Sequence, residues 1–195
     1  GALSLQAAVA RAGIDPAEVD DVLWGAALQQ GAQAGNIARQ VALRAGCPVT
    51  VSGQTIDRQC ASGLMAISIA AKQIMVDGMA VTVGAGQEQI SLVQNTHNQL
   101  ASEAYDANVL RMSEHAYMPM LQTAEQVARR YGISRDAQDA YALQSQQRTA
   151  AAQAAGLFAD EIIAVSSRKR VLDKDSGALS YQEVRLTADE GNRPN

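Results

Sequence analysis

Aromatic side chains are scarce in this chain of 195 residues: Phe, Trp and Tyr make up 4% of it, with a single Trp and a single Phe. With 47% hydrophobic residues and Ala and Gly throughout, its interior must be built from small side chains brought close together. Stacked layers of helix and sheet meet that demand better than an aromatic-filled sandwich. Cysteine is equally sparse. Cys47 and Cys60 cannot make a dense disulfide framework, and no Cys-x-x-Cys pair marks a structural zinc, so a reducing, cytoplasmic setting is the expectation. Basic charge is not in excess: 16 Lys and Arg stand against 20 Asp and Glu, a formal charge of -4, which argues against a nucleic-acid or polybasic-membrane surface. The apolar stretches are broken by Gln, Lys, Asp or Gly, and no basic region followed by an apolar run opens the chain, so neither a membrane span nor a secretory leader is expected. Acidic residues lack the spacing of a metal site, and no metal is expected. Gly84-Ala85-Gly86 lacks the third glycine of a phosphate-binding fingerprint.

What is present reads as alternating helix and strand, in a length that suits one domain or a large part of one. Leu3, Leu5, Ala8, Val9 and Ala12 outline a helix that starts at residue 1 without a cap and stops at Gly13. Asp15 to Glu18 reads as a turn, Val19 to Ala27 as a strand and residues 29 to 35 as a loop. Asn36 is placed to cap a helix Ile37 to Ala45, closed by Gly46. Val49 to Ile56 is extended, and Ser62 to Asp77 is helical, with Leu64, Ile67, Ala71 and Ile74 at helical spacing and an opposite face also apolar. Such a helix is expected to be buried on more than one side. Met79 to Val83, followed by Gly84-Ala85-Gly86, suits a buried parallel strand running into a loop. Strand, helix and strand make a βαβ unit, in which residues 49–57 and 79–84 are expected to be adjacent.

Residues 86–118 read as a long polar excursion with one or two short helices, Thr123 to Tyr131 as a helix ended by Gly132, and Arg135 to Ala155 as a long helix capped by Ser134. Ala159 to Val165 returns to strand, and the stretch from Arg168 to Leu186 has the pattern of a hairpin around a polar turn, followed by a polar tail, Asp189 to Asn195. Both ends have the look of cuts.

Cys60 carries the most distinctive chemistry. It stands at the junction of a strand and an apolar helix, where the amides of the first turn lack intrahelical partners and, with the helix dipole, favour a thiolate and a developing oxyanion. Gly63 lets a ligand or another segment approach that turn. The position fits a nucleophile; read from position alone, it fits a small buried hydrophobe as well. Cys47, between Gly46 and Pro48, has no activating feature and reads as structural. His97 and His115 lie in no motif that makes either a general base.

Cys60-Ala61-Ser62-Gly63-Leu64 resembles the active-site signature of the thiolase family, and the likeness extends in order through Gly35-Asn36-Ile37-Ala38-Arg39-Gln40, Val81 to Ser91, Thr123-Ala124-Glu125, Tyr131 to Arg135 and Ser145 to Arg148, covering nearly the whole chain. The resemblance implies a layered α/β/α/β/α fold, of which this chain holds mostly the N-terminal half. Residues 1–90 then form the first part of the α/β domain, 91–120 the start of an inserted loop region, and 121–195 the rest of that region and the return to the domain. It implies an acyl-CoA C-acyltransferase in which Cys60 is acylated, Met120 lines the acyl pocket, coenzyme A and acyl-CoA are substrates with no permanently bound cofactor, and the protein is a homodimer or homotetramer. The family's Gly-His-Pro histidine, its Asn-Glu-Ala-Phe element and its acid/base cysteine belong to the second half, and His97 and His115 do not stand in for them. Asp57 replaces the usual Asn, and Pro119 precedes Met120 where biosynthetic members carry His, so 3-ketoacyl-CoA thiolysis is preferred to acetoacetyl-CoA synthesis. A ketoacyl synthase and a catalytically silent thiolase-like subunit are the alternatives.

Overall fold

The computed structural model describes residues 1–193, so the last two residues of the polar tail lie outside it. The chain divides into two compact units, Gly1–Asp106 and Ala107–Asn195. The first contains a three-stranded parallel sheet of order β2-β1-β3, with β1 Asp21–Gly25, β2 Ser52–Ile56 and β3 Thr82–Gly86. Helices α1 (Ala2–Ala12) and α2 (Ile37–Ala45) lie on one side and α3 (Ser62–Lys72) on the other.

The central place of β1 follows from its composition. Val22 and Trp24 point into the cluster formed with Leu5, Val9, Val41 and Val51, while Leu23 points the other way onto Ile56, Ala66 and Ala70. A strand apolar on both faces belongs in mid-sheet, whereas the Ser-Gly-Gln-Thr run of β2 suits an edge. Full burial of side chains such as Leu23 and Val22 contributes about 1.5–3 kcal/mol each. The expected adjacency of residues 49–57 and 79–84 is therefore corrected: both strands run parallel to β1, which lies between them, and α3 carries the chain across it.

Glycines set how closely the layers approach. A Cβ on Gly25 would lie 2.4 Å from the Ser62 carbonyl carbon, and one on Gly84 would lie 2.7 Å from the Ile67 Cα. The sheet thus accepts the small-residue face of α3, Ser62, Ala66 and Ala70. Leu64, Ile67, Ala71 and Ile74, the stripe at helical spacing, are exposed, Leu64 at 72%, although Ile67 keeps its Cα and Cγ1 against Gly84. Burial on more than one side is not observed, because the sheet covers one face and no second layer covers the other among the described residues. By length and composition the segment Gln59–Asp77 could also cross a membrane, but here it is the crossover of a parallel sheet. Its last turn, Gln73–Asp77, widens to π-helical pairing and stops at Gly78.

On the α2 side, Asn36 accepts from Arg39 N at 3.4 Å as the expected cap, and also donates to Gly53 O at 2.8 Å, tying α2 to β2. The Arg39 guanidinium holds Val51 O and, at 2.8 Å, Val49 O, fixing the turn into β2.

Three further expectations change. Gly84-Ala85-Gly86 belongs to β3 and not to a loop, since these small residues pack beneath α3 and pair with β1. The excursion after β3 contains a helix of 14 residues, α4 Ile90–Glu103, in addition to the short α5 Ala107–Met112; Val93 on α4 is buried against the loop after β1. Residues 159–161 form turns, and strand begins only at Val165, where antiparallel pairing starts.

The second unit comprises α5, α6 (Met120–Tyr131), α7 (Arg135–Ala154) and the hairpin β4 (Val165–Leu172) and β5 (Leu179–Leu186). Ser134 Oγ accepts from Ala137 N at 3.2 Å, the expected cap of α7. Among the described residues of this unit none is buried; all the buried ones lie in the first.

Candidate active site

The carboxyl ends of the three parallel strands open on one cavity of about 480 Å³. It is lined by Gly25, Ala27 and Leu28 after β1, by Gln59, Cys60, Ser62 and Gly63 between β2 and α3, and by Gly86, Gln87, Glu88, Ile90 and Gln94 after β3. Open α/β sheets bind ligands at this end, where the connections leave the strands.

Cys60 is exposed in this cavity, and local bonds hold the turn that carries it. Asp57 Oδ1 accepts from Gln59 N at 2.8 Å. Ser62 Oγ accepts from Arg58 N at 2.8 Å and donates to Gln59 O at 2.6 Å, from a side chain that is itself buried. Between these braces Gln59 takes a φ of 49°, a left-handed conformation that costs a non-glycine residue about 1 kcal/mol or more. Strain held by flanking bonds is a common way to keep a reactive side chain in one place. Ala61 N and Ser62 N donate to Arg58 O and Gln59 O. The following amides open α3, where the helix offers them no partner and the dipole favours negative charge. Gly25 and Gly86 keep this floor thin: a Cβ on Gly86 would lie 3.4 Å from the Gly63 Cα.

Cys47 is the converse. It is buried in the cluster around Leu5 and Val9, and burial pushes its thiol above the ordinary value, opposed by a backbone hydrogen bond. His97 Nδ1 lies 2.9 Å from Gln30 Oε1, and His115 Nε2 lies 3.0 Å from Glu114 Oε1. Neither histidine lines the Cys60 cavity. Met120 belongs to the second unit, where it opens α6, is 77% exposed, and borders an apolar groove with Thr123, Val127 and Ile133. Among the described residues no group of three His, Cys, Asp or Glu side chains is arranged to hold a metal ion.

The sequence profile described as "Thiolase, N-terminal domain" matches residues 1–190. The chain belongs to the thiolase family. The 3-ketoacyl-CoA thiolase of Bacillus subtilis (strain 168) is 37% identical over 197 residues, spanning 100% of this chain and 49% of that protein. "3-ketoacyl-CoA thiolase 2, peroxisomal" of Arabidopsis thaliana is 35% identical, spanning 97% and 40%. The crystal structure of the Bacillus anthracis acetyl-CoA acetyltransferase superposes with a TM-score of 0.74 at 33% identity, covering 97% of this chain and 48% of that one. This thiolase-family chain thus has the α/β thiolase fold and spans about half the length of these relatives.

The braces on Cys60 were only partly visible in the sequence. Asp57 stood out as a departure from the family pattern, but its bond to Gln59 N depends on the left-handed turn. Glu88, in the polar run Gln87-Glu88-Gln89 after β3, and Gln33, in the loop after β1, belong to no local motif. The signal available for both was polar residues beside the ends of apolar strands.

Proposed function

We propose that the protein carrying this chain is an acyl-CoA C-acyltransferase of the thiolase type, with Cys60 as its nucleophile. The observation that carries this reading is the exposed, braced Cys60 at the start of α3, in a cavity at the strand ends. In thiolysis the Cys60 thiolate attacks the 3-keto carbon of a 3-ketoacyl-CoA. The bond between that carbon and its α-carbon breaks, and the electron pair leaves with the acetyl-CoA fragment, which is protonated. The thiolate of a second coenzyme A then attacks the acyl thioester, releases acyl-CoA and restores Cys60. The backbone N–H of Cys60, just before α3, supplies a donor for the oxyanion, a contribution of several kcal/mol where such donors are preorganised.

Met120 is proposed to line the acyl pocket, from the exposed apolar groove it borders. The domain layout proposed is 1–90 for the first part of the α/β domain, 91–120 for the start of the insertion, and 121–195 for its remainder and the return. The protein is proposed to be a cytoplasmic homodimer or homotetramer that takes coenzyme A and acyl-CoA as substrates and keeps no bound cofactor. Two free thiols suit the reducing compartment, and light scattering on the complete protein tests the assembly. Likeness to an acetyl-CoA acetyltransferase structure supports a second reading, acetoacetyl-CoA formation from two acetyl-CoA. The kcat/KM series for thiolysis of 3-ketoacyl-CoA substrates of increasing chain length separates the two. A profile rising beyond acetoacetyl-CoA supports the first reading, activity confined to acetoacetyl-CoA supports the second, and no thiolysis by the complete protein overturns both.

A further inference from the structure

We propose that Gln33 is a positioning residue for acylation of Cys60: paired with Glu88, it locks the loop after β1 to the segment after β3 and thereby fixes two parts of the cavity wall. The inference rests on the reading of Cys60 as the acylated nucleophile.

Gln33 lies in a single 3-10 turn, Gly31–Gln33, and is 1% exposed. An amide side chain buried this completely is costly unless its donors and acceptor lone pairs are used. Here they are used. Nε2 donates to Leu28 O at 2.8 Å and to Glu88 Oε2 at 3.1 Å. Oε1 accepts from Gln89 N at 2.8 Å and, more weakly, from Gln87 Nε2 at 3.5 Å. Glu88 completes the lock from the other side, accepting from Ala27 N and, at 3.3 and 3.4 Å, from Leu28 N. Both segments have left the sheet, so these backbone groups lack ladder partners, and an apolar residue at 33 would strand Leu28 O and Gln89 N.

Ala27, Leu28, Gln87 and Glu88 line the cavity that holds Cys60, whereas Gln33 does not. Its influence on chemistry must therefore pass through the walls it holds. A thioester carbonyl has to sit within about half an ångström of its productive place, and a misplacement of about 1 Å costs roughly a hundred-fold in rate. A lock made by one buried amide and one carboxylate is suited to that tolerance, because all of its bonds but the one from Gln33 to Leu28 O run between the same two segments.

The test uses the complete protein, with single-turnover acylation of Cys60 by acetyl-CoA measured well below the unfolding midpoint. Gln33→Leu is expected to slow acylation roughly ten- to hundred-fold. Alkylation of Cys60 by iodoacetamide, which needs no shaped wall, should change by less than about two-fold. Glu88→Ala, at an exposed position, should slow acylation in the same selective way. Gln33→Glu combined with Glu88→Gln should regain part of the rate lost in Gln33→Glu alone, since an amide again faces a carboxylate. Acylation within about two-fold of the parent in folded Gln33→Leu, or in Glu88→Ala if the first variant does not fold, overturns the proposal. So does an equal loss of alkylation and acylation, because the thiol rather than the wall has then changed. Failure of the parent protein to be acylated at all overturns the reading of Cys60 and this inference with it.

Discussion

The surroundings of Cys47 and of Cys60 show how backbone placement, more than residue type, decides what a thiol can do. Both cysteines are free and both lie in short connections flanking β2. Cys47 follows the left-handed Gly46 that ends α2, and its chain turns inward, so the sulfur is enclosed by Leu5, Val9 and Val51 and burial holds the thiol protonated. Cys60 precedes α3 on a turn kept out of the core by the left-handed Gln59, and it opens on a cavity at the strand ends. The first is a packing residue that happens to contain sulfur. The second is displayed, which the chemistry of a nucleophile requires.

The contrast breaks most visibly by substitution. In the complete protein Cys60→Ala should lower turnover by at least about a thousand-fold, whereas Cys47→Ala should keep it, as followed by release of coenzyme A in a stopped-flow burst. Next in size is Gly25→Val at the end of β1. Its Cβ would press on the Ser62 backbone at 2.4 Å, so α3 and the Cys60 turn must shift, with a stability loss of about 1–3 kcal/mol or more by urea unfolding and a reduced burst. Ser62→Ala removes both bonds that its hydroxyl makes across the Cys60 turn. It should cost about 1–3 kcal/mol and slow acylation while leaving the Cys47 surroundings unaltered, read from unchanged protection of Cys47 against a thiol reagent.

The smallest effect belongs to Cys47 and concerns pH. Its folded thiol holds its proton more tightly than the unfolded one, whose reference value is 9.0. The stabilisation is therefore complete below pH 9.0 and declines as pH rises above it, because the unfolded chain then releases a proton that the folded chain retains. Urea midpoints measured from neutral to alkaline pH should fall more steeply for the parent than for Cys47→Ala.

Local signals explain what the sequence made legible. Asn36, Gly46, Ser134 and Gly132 are caps and stops whose chemistry acts within a few residues, and the helices begin or end beside them as expected. The hairpin of β4 and β5 was equally local. The place of Cys60 between strand and helix was legible from the extended run before it and the apolar helix after it. Strand order was not, since it depends on which strand can be buried on both faces, and that comparison was available only in Val22-Leu23-Trp24 against the polar β2. The buried face of α3 was misjudged for a related reason. Periodicity identifies an apolar stripe, but Gly25 and Gly84 admit only the face whose side chains are small enough, Ala66 and Ala70. Gln33 and Glu88 were invisible because they meet across 55 residues, in a contact that no local pattern encodes.

The most direct test of the central claim is to quench the complete protein with acid during turnover with acetyl-CoA, digest it, and weigh the peptides that contain Cys47 and Cys60. The expected result is the mass of one acetyl group on the Cys60 peptide and none on the Cys47 peptide, with the label lost in Cys60→Ala. An acetyl group on Cys47, or full turnover without any label on Cys60, would contradict it.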